Sequence, residues 1–280
     1  MKRSMMIWTI SAIVYLGLVI TGYSVYASMN PKTTEHANHS DDQVEGNVTD
    51  QTSEHEHEHE NHDVSTTRES ELTPKVSYAN GEITIELRDK DNNVPELDVS
   101  HEKYMHFIIV SSDLEEYHHL HPEEKGDGVY QQKVSLDGNS YKAFVDIKPK
   151  DLQYSVMPIE FNVGETQHEH GDNELVVDTD FTKTINGQTV ELTAESFEVN
   201  KEITLNFDVK DAKPDPYLGA LGHVVILDEA GEKYIHVHPV AEDKTVFNTQ
   251  FNKPGIYKLW AEFKFGEQVN VYPFVIEVKE

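Results

Sequence analysis

The chain has 280 residues and no cysteine, and its 51 acidic against 23 basic side chains give a formal net charge of −28. A surface this acidic repels nucleic-acid phosphates and anionic lipid headgroups and attracts cations, so neither nucleic acid nor a lipid surface is an expected partner. Without thiols there is no disulfide framework, thiolate zinc site, blue-copper site or lipoprotein cysteine.

In chain order, Lys2 and Arg3 precede a mostly apolar run from Met5 to Ala27, the pattern of an export segment. Val25-Tyr26-Ala27 offers a cleavage site, yet about 22 apolar residues also suffice to span a bilayer. Residues 1–27 are therefore a signal peptide or a retained transmembrane anchor with its N-terminus in the cytoplasm. Either way the rest of the protein is expected outside the cytoplasm of a bacterial cell, secreted or membrane-anchored. The membrane is met through this segment only.

Residues 28–73 hold few large apolar side chains and are expected to be disordered, because they cannot bury enough surface to offset chain entropy. Within them, His55-Glu56-His57-Glu58-His59-Glu60-Asn61-His62-Asp63 alternates imidazole with carboxylate. This reads as a flexible, low-affinity cation collector using His55, His57, His59 and His62, or as a solvated acidic linker with incidental histidines.

From Pro74 the pattern changes to short runs rich in Val, Ile, Tyr, Phe and Thr between Gly, Pro, Asn and Asp, a β signature. Two units, 74–164 and 174–280, repeat the same order of strands and turns, with a polar linker at 165–173. The predicted fold class is all-β: two tandem immunoglobulin-like β-sandwich domains after an N-terminal hydrophobic helix and a disordered His/Glu-rich linker. Tyr141 and Tyr257, each just after a glycine turn, suit either the corner position of that fold or an ordinary core place. The second unit is expected to add a strand pair around 175–179 and 189–194, with Asn186-Gly187 as a hairpin turn.

The histidines are the chemical signal. Tyr117-His118-His119-Leu120-His121-Pro122 returns as Tyr234-Ile235-His236-Val237-His238-Pro239. Thirteen residues before His119 and His236 stand His106 and His223, each in an apolar run. Side chains two apart on a strand share a face. A hairpin symmetric about Ala230-Gly231 sets His223 opposite His238 and Val225 opposite His236, and the first unit obeys the same arithmetic with His106 opposite His121. Opposed Cβ atoms lie about 4.5–5.5 Å apart, close enough for two imidazoles to share an ion. Each unit is thus expected to hold a three-imidazole site, His106, His119 and His121 or His223, His236 and His238, suited to Zn(II), Cu(II) or Ni(II). A fourth ligand is water, a carboxylate such as Glu123 or Asp243, or in the first unit an accessory imidazole, His101 or His118. Pro122 and Pro239 read as edge-strand terminators, and Met105 and Met157 as packing rather than Cu(I) ligands.

These features point to an extracytoplasmic protein that sequesters, buffers or delivers a transition metal, copper or zinc first, with a membrane metal transporter or a cell-surface protein as its partner. Two alternatives stand beside it: a cell-surface interaction module with structural or pH-sensing histidines, and a three-histidine metallohydrolase. The last lacks a His-Glu-x-x-His helix and an evident general base, so no enzymatic activity is expected and no catalytic residue is assigned.

Residues 196–280 also resemble a widespread group of bacterial secreted or membrane-anchored proteins. The likeness rests on Gly222-His223, on His236-Val237-His238-Pro239, and on Pro254-Gly255-Ile256-Tyr257-Lys258-Leu259-Trp260. The first unit matches this pattern less well, with Met105 in place of the glycine and neither the Pro-Gly pair nor the Trp. The resemblance implies a β-sandwich and export rather than an activity.

Overall fold

A computed structural model describes residues 70–164 and 175–280, which belong to one compact unit, Val64–Glu280. The expected export segment, the His55–His62 tract and the 165–173 linker lie outside the described residues. Leu72, which the sequence reading leaves in the acidic segment, is buried and bridges Asp89.

All regular structure among the described residues is strand. The first repeat runs β1 (Lys75–Ala79), β2 (Glu82–Glu86), β3 (Leu97–Asp98), β4 (His106–Ser111), β5 (Tyr117–Leu120), β6 (Glu123–Gly126), β7 (Val129–Lys133), β8 (Asn139–Asp146), β9 (Lys148–Pro149) and β10 (Ile159–Val163). Its two main sheets, β1-β2-β7-β6 and β10-β8-β4-β5, enclose a core that includes Ile83, Ile85, Phe107, Ile109, Tyr130 and Val145. The second repeat runs β11 (Thr182–Ile185), β12 (Gln188–Thr193), β13 (Glu202–Val209), β14 (His223–Asp228), β15 (Tyr234–Pro239), β16 (Val246–Gln250), β17 (Gly255–Phe265) and β18 (Gln268–Val278). These form one eight-stranded sheet, β11-β12-β13-β16-β15-β14-β17-β18, bent over a core that draws on both its halves, among them Leu205, Phe207 and Phe247 with Val224, Leu259 and Phe274.

Several details depart from the sequence reading. The added strand in the second repeat is β11, hairpinned to β12 at 182–193, while β12 flanks β13 as β1 flanks β2, and residues 175–179 are not strand. Its Asn186-Gly187 turn has φ of 49° and 78°, and the first repeat has a matching turn at Asn80-Gly81 with 54° and 78°. Two successive positive φ angles are what a tight type I′ hairpin requires. Pro122 follows β5, an edge strand as expected, whereas Pro239 ends β15, an interior strand of the eight-stranded sheet. Pro239 pairs with Phe247 where β15 leaves β14 for β16, and Pro122 lies between β5 and β6, which belong to different sheets. The proline thus marks where the chain crosses from one layer to the other. The strands near Tyr130 and Phe247 are interior, and both side chains are buried. Met105 packs in the first core, whereas Met157 is exposed.

The two tyrosines do occupy the corner position. The Tyr141 hydroxyl lies 3.1 Å from the Asp137 carbonyl and the Tyr257 hydroxyl 3.0 Å from that of Lys253, each four residues upstream. Such a bond pins the turn entering β8 or β17 to its strand.

What positions the site is a third apolar cluster shared by the repeats. Along β4, Phe107 and Ile109 point into the first core while Ile108 and Val110 point away from it. Along β14, Val224 and Ile226 are internal and Val225 and Leu227 point away. The outward sets meet, together with Phe144 and Trp260. Like positions face one another: Tyr117 stacks on Trp260 with centroids 4.9 Å apart, and Tyr234 on Phe144 at 5.2 Å. Lys258 reaches Glu115 at 2.9 Å, and Lys142, its counterpart, bonds Glu232 and the Ala230 carbonyl. The β4 and β14 strands are therefore buried on both faces, which is why they read as unbroken apolar runs instead of alternating.

Candidate metal centre

The register is the one expected from the hairpins. Ile108 pairs with His119 and Phe107 with Leu120, so the next pair along aligns His106 with His121. Val225 pairs with His236 and Val224 with Val237, and the same step aligns His223 with His238. His106 and His223 share strand faces with Ile108 and Val225, so both emerge at the interface between the repeats.

In the first repeat three imidazoles converge. His106 Nδ1 lies 2.9 Å from His119 Nε2 and 3.3 Å from His121 Nε2. These three form the group of candidate ligands found among the described residues, with ligand atoms all within 4.8 Å of one another. The remaining ring nitrogens fix the tautomers. His106 Nε2 lies 3.0 Å from the Ser100 carbonyl oxygen, which can only accept, so Nε2 carries the proton and Nδ1 the lone pair. His119 Nδ1 donates to Glu262 Oε2 at 2.6 Å, which leaves the lone pair on Nε2. With both rings neutral, two nitrogen lone pairs face each other at 2.9 Å, and a metal cation or a shared proton between them relieves their repulsion. Metal–nitrogen bonds of about 2.0–2.1 Å in a tetrahedral site put ligand nitrogens roughly 3.3 Å apart, close to the spacing here.

Electrostatics agree. His121 is pushed down to about 2, by burial first, then by the charge His119 and His106 would carry, and then by Lys103. A ring held neutral is the form that binds a metal. Glu262 and His119 are nearly fully buried, with side-chain exposures of 4% and 2%. A carboxylate buried this deeply is costly, and positive charge on the His119 ring or on a cation beyond it offsets the cost. The Tyr117 phenol is pushed well up by burial and then by the nearby Glu262 charge.

The other expected ligands fall out differently. Glu123 is exposed and paired with Lys125 at 2.8 Å, and Asp243 is exposed, so neither supplies the fourth ligand expected of it. Glu123 opens β6 beyond the layer crossing, and Asp243 lies in the turn between β15 and β16. His118 points to the opposite face from His119 and lies 3.8 Å from Glu116. His101 sits at the tip of the Ser100–Lys103 turn with φ 47°, its ring 5.9 Å from that of His106 and 5.7 Å from that of His223. His223 is buried, and its Nε2 donates to the Tyr217 carbonyl at 3.0 Å, repeating the His106–Ser100 contact. Glu262 is the residue that sequence reasoning missed. It lies in the otherwise apolar stretch Leu259-Trp260-Ala261-Glu262-Phe263, and a carboxylate inside such a stretch was the available signal.

The comparisons with known proteins follow this geometry. Residues 60–165 and 183–280, one stretch per repeat, each match the family described as Domain of unknown function (DUF8832), and the chain belongs to that family. A comparison with curated proteins found no match. Among solved structures, the chain is similar to a two fibronectin type-III domain segment from chicken tenascin, at 11% identity and a TM-score of 0.25, over 75% of this chain and 100% of that one. It is also similar to FdeC, an Escherichia coli adhesin, at 17% identity and 0.24, over 74% and 65%. The chicken CNTN1 FN1–FN3 domains match at 10% and 0.23, over 75% and 68%. The described residues form two β-sandwich repeats in tandem, by their own sheets and cores.

Proposed function

We propose that this protein binds a first-row transition metal, copper or zinc, outside the cytoplasm, and holds it for sequestration, buffering or delivery. The observation that supports this most directly is the pair of lone-pair nitrogens, His106 Nδ1 and His119 Nε2, 2.9 Å apart with His121 Nε2 beside them. All-nitrogen ligation suits Zn(II) and Cu(II), while the absence of sulfur ligands at the triad disfavours a dedicated Cu(I) site. The N-terminal segment exports or anchors the chain, and the His55–His62 tract gathers ions at low affinity. A membrane transporter or a cell-surface protein receives them.

The experiment is metal content of the purified full-length chain after dialysis against a weak chelator. At least one equivalent of copper or zinc is expected, with a loss of one equivalent in His119→Ala/His121→Ala. Less than a tenth of an equivalent, unchanged by the substitutions, overturns the reading.

A second reading has its own support. Tandem sandwiches of this kind serve as interaction modules, and a proton shared between His106 and His119 satisfies the same lone pairs. Metal-free chain that binds a cell-surface partner with a pH dependence abolished by His119→Ala would favour it.

A further inference from the structure

The sequence presents two triads in two domains, but the packing brings them to one place. The His106 and His223 rings are 5.9 Å apart, and the His119 and His223 rings 5.8 Å. Distances within the first triad are 5.2, 5.0 and 4.6 Å, so the second repeat's histidine is scarcely farther from the first triad than its members are from one another. The turns behind the rings also touch: Ser100–Lys103 and Tyr217–Ala220 are each closed by reciprocal backbone bonds, and Glu102 of one packs against Gly219 of the other. His101 spans the gap, edge-on to both His106 and His223.

The carboxylates cross the interface as well. Glu262 pairs on the backbone with His223 of its own repeat, yet its side chain accepts a hydrogen bond from His119 Nδ1 in the other. Asp146 holds the equivalent place, paired with His106, and its carboxylate accepts the Tyr234 hydroxyl of the second repeat at 3.0 Å. His223 is not among the ligand atoms that lie within 4.8 Å of one another, so the first position does not include it.

We propose that the histidines of both repeats build a single two-ion centre in the repeat interface. This rests on the metal-binding reading above. One ion takes His106 Nδ1, His119 Nε2 and His121 Nε2, with Glu262 as a positioning residue supplied by the other repeat. The second takes His223, on β14, whose backbone partner β15 carries His236 and His238 in register with it, and Asp146 stands where Glu262 stands for the first. His101 lies between the two positions. The ligand class is a pair of divalent first-row ions, Cu(II) or Zn(II), bound to neutral imidazoles.

The test uses full-length chain in detergent with His55, His57, His59 and His62 all changed to Asn, loaded with Cu(II) and dialysed against nitrilotriacetate. Two retained equivalents are expected, with a paramagnetic resonance signal broadened by dipolar coupling between neighbouring copper ions. His223→Ala should retain one equivalent and give a sharp, uncoupled signal. Glu262→Gln, in the second repeat, should weaken the first-repeat ion about 10- to 100-fold while the other ion stays. Two equivalents with uncoupled signals, a single equivalent, or Glu262→Gln without effect on the first ion would each overturn the shared centre while leaving metal binding in place. No retained copper would instead overturn the function on which it rests.

Discussion

The two repeats differ least where they meet and most at the turns behind the histidines. Tyr117 and Tyr234, Phe144 and Trp260, Lys142 and Lys258, and Asp146 and Glu262 are matched in kind and in register. The turn tips are not: Ser100-His101-Glu102-Lys103 carries an extra imidazole where Tyr217-Leu218-Gly219-Ala220 carries none. Before the key histidine stands buried Met105 in one repeat and Gly222 in the other. A Cβ on Gly222 would lie 2.5 Å from the Phe263 ring and 2.7 Å from the Glu262 carbonyl. That glycine is there because β17 runs hard against it, and β17 is the strand that delivers Glu262 to the first repeat. Likeness at the interface therefore conceals a difference behind it, where Met105 fills one core and Gly222 gives way to Phe263 in the other.

The largest test of this contrast is Trp260→Ala, which removes the stack on Tyr117 and should cost about 3–5 kcal/mol in chemical denaturation. Phe144→Ala should cost a similar amount, and an additive double mutant would show that the two stacks are independent. Next, Gly222→Ala should destabilise by roughly 1–3 kcal/mol through overpacking against Phe263. It should also weaken the first-repeat ion, and unchanged metal affinity would separate β17 from the bracing of His119. Acid should act on the metal-free chain through His121. Its folded value, about 2, is below the unfolded 6.5, so the native state takes up fewer protons between these values and stability falls as pH drops below 6.5. The slope is expected to approach roughly 1.4 kcal/mol per pH unit from about one unit below that point, and to flatten in His121→Ala. The smallest effect is Tyr257→Phe, about 1 kcal/mol for the lost corner bond. Tyr141→Phe should cost more, because the Tyr141 hydroxyl also lies 2.8 Å from Glu116.

Much of this was legible in the chain. Strand alternation, the glycine turns and the equal spacing of histidines led to the sandwich repeats and to the register that opposes His106 with His121, because local periodicity and hairpin symmetry are set by neighbours in sequence. What escaped depends on contacts made at long range. Glu262 and His119 are 143 residues apart, and no spacing rule joins them. The facing of the repeats did leave a trace in His106-Phe107-Ile108-Ile109-Val110 and in His223-Val224-Val225-Ile226-Leu227. Runs apolar at both parities need cover on both sides, and an isolated sandwich covers only one. The continuation of β15 through Pro239 onto β16 left no trace, because a proline's missing donor looks the same at an edge and at a bend.

The matched interface has a consequence for how such a molecule can change over time. A surface that meets its own copy, like position against like position, is the geometry of a homodimer. In a homodimer every substitution is made twice, so a helpful methionine on one side imposes a methionine on the other. Tandem duplication within one chain removes that restriction and keeps the partners at high effective concentration. It allows Met105 to fill one core while Gly222 clears a path for Phe263, and His101 to be added on one side alone. The asymmetry between the turn tips is thus something a symmetric pair of identical chains could not have acquired.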